Sequence, residues 1–283
     1  MNAGRSPLFC DAALAERIER AEAQLVARAS EAARGRGADA AGFVITVAGG
    51  VASFAEEDSP FNKVAGLGFG GVPDAAALDE IERAFAARGA PVQVELAHLV
   101  DPAFGVLLTE RGYRLVSFEN VLGRSLTGEP EPVRPPGVEV RRIGDDEFDA
   151  WLDVVVDAFI HPDTQGMPSH EEFPREAIER AERDLVAAAG VMCYLALRDG
   201  VIAGGASMRV AGGVAQLTGA ATAPAHRRRG VQTALLSTRL ADAAAAGCDI
   251  AVVTTQPGSR SQQNVQRQGF DLLYTRAVLV KQP

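Results

Sequence analysis

A proline-rich stretch near the middle of the chain, TGEPEPVRPPG at residues 127–137, most constrains how this sequence can fold. Its four prolines lack a backbone N–H, and each restricts the residue before it to extended conformations. Neither a helix nor a central strand can continue through such a stretch. We therefore interpret residues 127–137 as a linker that separates residues 1–126 from residues 138–283.

Length and composition agree with two folded domains. The chain has 283 residues, of which 47% are hydrophobic and 23% are charged, as in ordinary folded proteins. Domains commonly contain about 100–150 residues, so each part is long enough to build its own core. The sequence therefore predicts one domain over residues 1–126 and a second over residues 138–283.

Charge and cysteine usage exclude several classes of partner. The net charge of −9 disfavours a nucleic-acid-binding surface, which needs clustered cations. Cys10, Cys193 and Cys248 lie far apart without metal-ligand spacing, so we expect free thiols and no metal. No uncharged apolar stretch reaches the ~18 residues of a membrane span, and no signal-peptide pattern follows Met1. We expect a cytoplasmic protein that binds neither nucleic acid nor membranes.

Hydrophobic periodicity predicts that helices and strands alternate in both parts of the chain. In the first part we expect helices around residues 14–25, 78–85 and 102–111, strands at 63–69 and 92–96, and a hairpin around Gly49–Gly50. In the second part we expect helices around residues 148–159 and 171–188 and strands at 138–142, 192–197, 201–210 and 214–221. This order indicates an α/β (α+β) fold.

Paired glycines suggest that the two halves are related. Gly89 and Gly112 are 23 residues apart, and Gly247 and Gly269 are 22 residues apart. Each pair brackets a strand and a helix and precedes a long strand, as repeated units would. Glycine at helix ends is also common for conformational reasons alone, so two unrelated units remain the alternative. We favour a duplication.

The segment APAHRRRGVQTALL, residues 223–236, carries the clearest chemical signal. It lies where a predicted strand ends and a predicted helix begins, and the first amides of a helix attract anions. Gly230 lets the backbone approach a ligand closely, and the three preceding arginines can bind phosphate oxygens. The alternatives are a solvated basic loop or a small RNA-binding patch.

Here the sequence resembles the Gcn5-related N-acetyltransferase (GNAT) family, whose pyrophosphate loop reads Arg/Gln-x-x-Gly-x-Gly/Ala. Arg227, Gly230 and Gln232 occupy the three fixed positions, although Gln232 departs from the preferred glycine or alanine. The Gly269–Phe270 pair resembles the end of the last conserved helix of that family. The resemblance implies two GNAT-like domains, each with a mixed, mostly antiparallel sheet flanked by helices, the first being a degenerate copy.

The resemblance further implies a site for acetyl-CoA, or another short acyl-CoA, as co-substrate. Carried over residue by residue, the predicted binding residues are Thr222, Ala223, Arg227, Arg228, Arg229, Gly230, Val231, Gln232, Thr233 and Asn264. Asn264 can equally be a polar residue on a solvated helix face.

The usual catalytic side chains of the family are missing from this sequence. The resemblance assigns polarisation of the thioester carbonyl to backbone near Ala221, Thr222 and Ala223. Many relatives also place a glutamate on the preceding strand and a tyrosine in the last helix. The corresponding stretch 216–219 has no carboxylate, and Val265 replaces the tyrosine. Catalytic acid and base therefore stay unassigned.

The first half lacks the basic loop, since Gly70–Asp74 contains no arginine and Asp74 has the character of a helix N-cap. We expect that it shapes the acceptor site or packs on the second half as a pseudo-dimer. The predicted function is acyl transfer from acyl-CoA to the primary amine of a small molecule or peptide. The alternative is a non-catalytic acyl-CoA sensor or scaffold. We expect a monomer or a homodimer.

Overall fold

The computed structural model describes residues 6–36, 42–128, 133–161, 165–167 and 170–283. These residues form helices α1 (Ala12–Arg36), α2 (Ala75–Ala86), α3 (Pro102–Glu110), α4 (Phe148–Ile160), α5 (Arg175–Ala189), α6 (Val231–Ala245) and α7 (Arg260–Arg267). In the first half they form strands β1 (Phe43–Val47), β2 (Gly50–Phe54), β3 (Lys63–Ala65), β4 (Val92–Ala97) and β5 (Arg114–Ser125). In the second half they form β6 (Val138–Arg142), β7 (Met192–Arg198), β8 (Val201–Ala211), β9 (Val214–Gln216), β10 (Ala220–Thr222), β11 (Ile250–Thr255) and β12 (Asp271–Lys281).

These strands form one mixed sheet, in the order β1-β2-β3-β4-β12-β5-β11-β9-β8-β7-β6, with β10 paired to β8. Most neighbours are antiparallel, and the parallel pairs are β3 with β4 and β9 with β11. The predicted α/β fold with a mixed, mostly antiparallel sheet flanked by helices is confirmed. In the part of the chain that the structure describes, no helix is long and apolar enough to cross a membrane.

The centre of the sheet is an exchange of strands between the two halves. β12, the last strand of the second half, lies between β4 and β5 of the first half. β5, the last strand of the first half, lies between β12 and β11 of the second. The sheet therefore runs through both predicted domains without a break. Residues 129–132 of the predicted linker lie outside the described residues.

The helices cover both faces of this sheet. Neighbouring residues of β5 show the division, since Val121 packs in the cluster that contains Ile18 of α1, and Leu122 packs in the cluster of Leu235 on α6. α4 and α5 lie on the α1 face, where Trp151 and Leu195 share a cluster. Helices α2 and α3 cover the opposite face of the first half, as α6 and α7 do in the second.

Buried charges tie α1 to the exchanged strands. Glu19 of α1 accepts hydrogen bonds from Tyr274 (2.6 Å) and from Arg276 Nε (2.8 Å), both on β12. Lys63 of β3 donates to Glu95 of β4 at 2.5 Å. Arg276 Nη1 also lies 3.6 Å from Glu95 Oε2, so α1, β3, β4 and β12 share one cluster of buried charges. Removing one member would leave a buried charge without its partner.

Four predicted elements differ in the structure. The helix predicted around residues 14–25 extends over Ala12–Arg36. The strand predicted at 214–221 breaks into β9 and β10, because at residues 217–219 the chain bulges and Ser207 N is within reach of both Thr218 O and Gly219 O. The strand predicted at 63–69 ends at Ala65, before a glycine-rich turn. The helix predicted at 171–188 begins at Arg175, because Pro174 lacks the N–H for an earlier turn.

The four paired glycines occupy equivalent places. Gly89, Gly112, Gly247 and Gly269 follow α2, α3, α6 and α7, and all have φ between 64° and 87°. Each is thus the left-handed residue that ends its helix. The order helix, glycine, strand, helix, glycine, strand recurs in both halves, as the duplication hypothesis requires.

Candidate functional site

The sheet opens into a wedge beside β10. β9 pairs in parallel with β11 only as far as Gln216 and Val252, and Leu217 N then donates to Val252 O at 2.9 Å. Beyond this point β10 pairs with β8 alone, in the part of the sheet that the structure describes. Ala220 is exposed although it lies within a strand. The edge of β10 that faces β11 is therefore open.

One backbone amide of the predicted set points into this wedge. Ala223 N donates to Ala203 O of β8 at 3.0 Å, and Ala221 lies opposite Gly205 of β8. Amides alternate in direction along an antiparallel strand, so Thr222 N–H points away from β8 and into the wedge. Of the three residues predicted to polarise a carbonyl, the register favours Thr222, while Ala221 and Ala223 bond to β8.

The wedge leads to the uncapped start of α6. Gly230 is the N-cap residue, with φ 83°, and no side chain accepts a hydrogen bond from the first turn. Ala234 N is the first helical amide with a backbone acceptor, Gly230 O at 2.9 Å. The amides of Val231, Gln232 and Thr233 are thereby left for an external acceptor. This end of the helix can bind an anion.

The three arginines before Gly230 are placed differently. Arg228 and Arg229 are exposed, and no carboxylate in the described ranges pairs with either side chain. Arg227 instead donates to the carbonyl of His161, at the end of α4, over 2.7 Å. Arg228 and Arg229 are therefore available to phosphate, whereas Arg227 holds the loop against α4.

The linker contacts the same loop. A Cβ added at Gly230 would lie 2.6 Å from Pro135 Cβ, and Val133 N donates to Ser237 Oγ of α6 at 2.7 Å. Close packing with Pro135 and a positive φ both require glycine at position 230. The sequence explains glycine at position 230 only by the close approach of a ligand. It does not reveal the contact with Pro135 of the linker.

Helix α7 forms another wall of the second half. Asn264 is half-buried, and Val265 is 3% exposed and packs in the core with Phe270. A buried valine cannot donate a proton. Gln232 and Thr233, also among the predicted residues, are half-buried in the first turn of α6.

The described residues between α4 and α5 contact both halves of the molecule. Gly166 packs on Ser259, since an added Cβ would lie 2.7 Å from Ser259 Cα. His170 Nε2 lies 3.1 Å from Gln93 Oε1 of β4, and His161 Nδ1 lies 2.9 Å from Asp157 O. Residues 162–164 and 168–169 lie outside the described residues. Both halves therefore contribute to this side of the molecule.

A carboxylate that sequence reasoning missed lies next to the bulge. Glu182 of α5 is 8% exposed, and its Oε1 would be 3.5 Å from a Cβ added at Gly219. Burial raises the pKa of Glu182 to about 7. The available signal was its position on the apolar stripe of α5, between Ile178 and Leu185.

A buried cation fixes the bulge from the opposite face. Arg239 of α6 donates to Ser207 O at 2.9 Å and to Thr218 O at 3.2 Å. Burial lowers its pKa to about 10. Because its hydrogen bonds within the described chain go to backbone carbonyls, Arg239 stabilises the bent strand that forms the wedge.

The first-half counterpart is closed. Asp74 Oδ1 accepts the amide of Ala77 at 2.8 Å and so caps α2. The glycine-rich turn before it is bonded to the β1–β2 hairpin, with Gly70 N donating to Ala48 O at 2.9 Å. A carboxylate thus occupies the place that an anion would take. That the first half binds no CoA stays a prediction.

Comparison with known proteins identifies related sequences and folds. Residues 149–270 match the family described as "Acetyltransferase (GNAT) family". A GCN5-related N-acetyltransferase from Kribbella flavida has 23% identity and a TM-score of 0.68, over 95% of each chain. A tandem GNAT protein from the clavulanic acid biosynthesis pathway has 14% identity and a TM-score of 0.60, over 98% of this chain and 97% of that one.

A third similar structure is a GCN5-related N-acetyltransferase from Sphaerobacter thermophilus, with 19% identity and a TM-score of 0.56. The match covers 73% of this chain and 67% of that chain. None of the curated proteins matches the sequence. At these identities the solved structures establish a shared fold, and the family match covers the part of the chain that contains the wedge and α6.

Proposed function

We propose that this chain, which carries an acetyltransferase (GNAT) family domain over residues 149–270, transfers a short acyl group from its CoA thioester to a primary amine. One observation carries the proposal: the open edge of β10 leads directly into the uncapped, arginine-flanked start of α6. This arrangement would join a thioester slot and a pyrophosphate site on one strand–loop–helix segment.

The first turn of α6 would hold the pyrophosphate. The amides of Val231, Gln232 and Thr233 supply donors at the positive end of the helix dipole. Arg228 and Arg229 would add charge-assisted hydrogen bonds to the phosphate oxygens. The pantetheine arm of the acyl-CoA would then lie along β10 in the wedge. Asn264 of α7 lies in the same half of the molecule.

The wedge would orient the thioester for direct attack by the amine. The Thr222 amide would donate to the thioester carbonyl oxygen, where negative charge develops as the amine attacks. Since helices cover both faces of the sheet, the acceptor would approach along the open edge of β10, where Ala220 is exposed. Its class is a primary amine of a small molecule or a peptide. The contact of His170 with Gln93 supports a first-half contribution to this pocket.

Calorimetry with acetyl-CoA tests the binding half of the proposal. Arg229→Glu should weaken binding about a hundredfold, because hydrogen bonds to charged groups contribute ~1.5–3 kcal/mol each. Arg83→Glu on α2, the same charge change on an exposed first-half residue, serves as the control. Absence of binding by the wild type at millimolar acetyl-CoA, or equal affinities for both variants, would remove this proposal.

A non-catalytic acyl-CoA sensor is the second candidate, favoured by the buried Val265 and by the absence of a carboxylate at residues 216–219. Thiol release from acetyl-CoA across a panel of primary amines separates the two. An enzyme releases CoA with at least one amine faster than without amine, and a sensor binds acetyl-CoA without amine-dependent release.

A further inference from the structure

We propose that Glu182 of α5 is the general base of this acyl transfer, accepting the proton of the acceptor ammonium beside the Thr218–Gly219 bulge. The inference rests on the proposed function and assigns its missing proton acceptor. Three observations support the inference. They are the position of the Glu182 carboxylate, its lack of a hydrogen-bond partner within the described chain, and the absence of an acidic residue from the strand that lines the wedge.

The position follows from the bulge. Gly219 lies directly after Thr218, two residues beyond the last contact that joins β9 to β11. Glu182 Oε1 lies 3.5 Å from the point where a side chain at position 219 would begin. The carboxylate from α5 therefore occupies the space next to the strand that a strand-borne acid would otherwise fill. Gly219 directly precedes the exposed Ala220, where the open edge of β10 would admit the acceptor.

The carboxylate lacks the partners that other buried acids have. Glu182 Oε2 is buried and makes no hydrogen bond within the described chain. By contrast, Glu19 is paired with Arg276, Glu95 with Lys63, and Asp184 with Arg36. A buried carboxylate without a partner destabilises the fold when it is charged. Such a cost without structural compensation is typical of a functional group.

The surroundings of Glu182 make it a suitable proton acceptor. Val155 of α4 and Ser207 of β8 lie, like Glu182, within 4 Å of the point where a side chain at position 219 would begin, and the Ser207 and Thr218 hydroxyls bond to each other at 2.9 Å. Cys193 is the titratable group that Glu182 affects, and burial keeps its thiol neutral by raising its pKa to about 12. With no cation acting on it, the carboxyl has a pKa of about 7. A base with this pKa can both take and release a proton near neutral pH.

The proton balance closes without a further reactant. Glu182 takes one proton from the ammonium, and the free amine attacks the thioester carbonyl carbon. As the C–N bond forms and the C–S bond breaks, the CoA sulfur leaves with the bonding electron pair and receives the second nitrogen proton. Glu182 then releases its proton to solvent. The products are an amide, CoA thiol and one proton.

Glu119 of β5 is the competing carboxyl, because burial also raises its pKa to about 7. It lies 3.6 Å from Arg276 Nη1, and Lys63 acts on it as well. Glu119 thus belongs to the charge cluster under α1, whereas Glu182 lies at the bulge. The two acids can be tested with the same substitution.

The experiment compares the full-length wild type with Glu182→Gln, Glu119→Gln and Glu179→Gln. Glu179 lies one turn earlier on α5 and pairs with Arg175, so it controls for the same change on the same helix. Each variant is measured for acetyl-CoA affinity by calorimetry and for thiol release with an amine that the wild type acetylates. Far-ultraviolet circular dichroism establishes that each variant is folded.

Glu182→Gln should keep acetyl-CoA affinity within about twofold and lower kcat about 10²–10⁴-fold, the usual contribution of a general base. The rise of kcat/KM through neutral pH should disappear. The loss should shrink with 2,2,2-trifluoroethylamine as acceptor at pH 8, because this weakly basic primary amine is already almost entirely neutral. Glu179→Gln should match the wild type.

Three outcomes overturn the assignment. If the wild type turns over and Glu182→Gln keeps its kcat and pH profile, Glu182 is not the base and the proposed acyl transfer stands. If Glu119→Gln alone loses the neutral-pH limb, the base is Glu119. If the wild type binds acetyl-CoA but acetylates no amine, the proposed function and the role of Glu182 fail together.

Discussion

The loop and helix start after β10 and those after β3 are the same structural unit with opposite chemistry. In each case a strand is followed by a turn and by a helix that ends at a left-handed glycine, Gly247 or Gly89. In the second half the helix start is uncapped and follows three arginines. In the first half Asp74 fills it with a carboxylate.

This difference shows how little sequence separates an anion site from a structural turn. Helix-terminal amides are present in both halves, because every helix has them. The two halves differ in whether a side chain of the protein itself accepts hydrogen bonds from these amides. The first half uses its amides for folding, and the second half leaves its amides for a ligand.

The largest expected effect comes from separating the two halves. Fragments 1–128 and 133–283 should each fail to show a cooperative unfolding transition, because β5 and β12 have their sheet partners in the other fragment. Co-expression should restore a cooperative thermal transition, measured by circular dichroism. A cooperative transition in either isolated fragment would contradict the importance of the strand exchange.

The next largest effect is expected from Gly230→Ala, because alanine at this position would distort the start of α6. Left-handed φ costs a non-glycine residue ~1–2 kcal/mol, and the close approach of Pro135 adds ~1–3 kcal/mol. We expect a loss of ~2–4 kcal/mol in the free energy of unfolding, with acetyl-CoA affinity at least about tenfold weaker. Urea unfolding and calorimetry measure the two effects.

Gly247→Ala is the matched control for that change. Its φ is 79°, and an added Cβ would have no neighbour within 4 Å. It should lose ~1 kcal/mol of stability and keep its acetyl-CoA affinity. Equal effects of the two substitutions would show that Pro135 and the ligand place no demand on Gly230.

Glu182→Gln should stabilise the protein at pH 8 by on the order of 3 kcal/mol, since one pKa unit corresponds to about 1.4 kcal/mol. Burial raises this pKa from 4.5 to about 7, so the folded state binds more protons between these values. The unfolding free energy therefore falls as pH rises through this window. The variant should lack this fall, as urea unfolding at pH 4.5 and pH 8 would measure.

Glu119→Gln tests the same linkage in the charge cluster. Burial raises the pKa of the Glu119 carboxyl to about 7, although Arg276 and Lys63 act in the opposite direction. Ionised Glu119 therefore also lowers the unfolding free energy above neutral pH, and we expect Glu119→Gln to stabilise the protein at pH 8. Urea unfolding at pH 4.5 and pH 8 measures this gain, and unchanged or lower stability would show that Arg276 and Lys63 need the Glu119 anion.

The smallest expected effect is that of Asp74→Ala in the first half. Loss of the hydrogen bond to Ala77 N should cost ~1 kcal/mol of stability, the usual value for an N-cap residue. Acetyl-CoA should still bind with one molecule per chain, because the turn Gly70–Asp74 before α2 contains no arginine. A second bound molecule in calorimetry would show that Asp74 alone closes the first-half site.

Local features of this protein could be read from the sequence with good accuracy. The helix stripe of Leu78, Ile81 and Phe85 and the strand at 138–142 agree with α2 and β6, because each depends on side chains a few residues apart. The bulge at Gly219 escaped the pattern, since the alternation of 214–221 reads as one strand. Its cause lies in a distant residue, Arg239, which binds the displaced carbonyl.

The sequence by itself determined the order of helices and strands, the anion-attracting start of α6 and the acid that closes α2. These are short-range properties of backbone geometry and neighbouring side chains. Only the tertiary structure decided that β5 and β12 exchange places, that Pro135 packs on Gly230, and that Glu182 lies beside Gly219. Such contacts join residues that are distant in the chain, and their energy depends on the packing of the whole sheet.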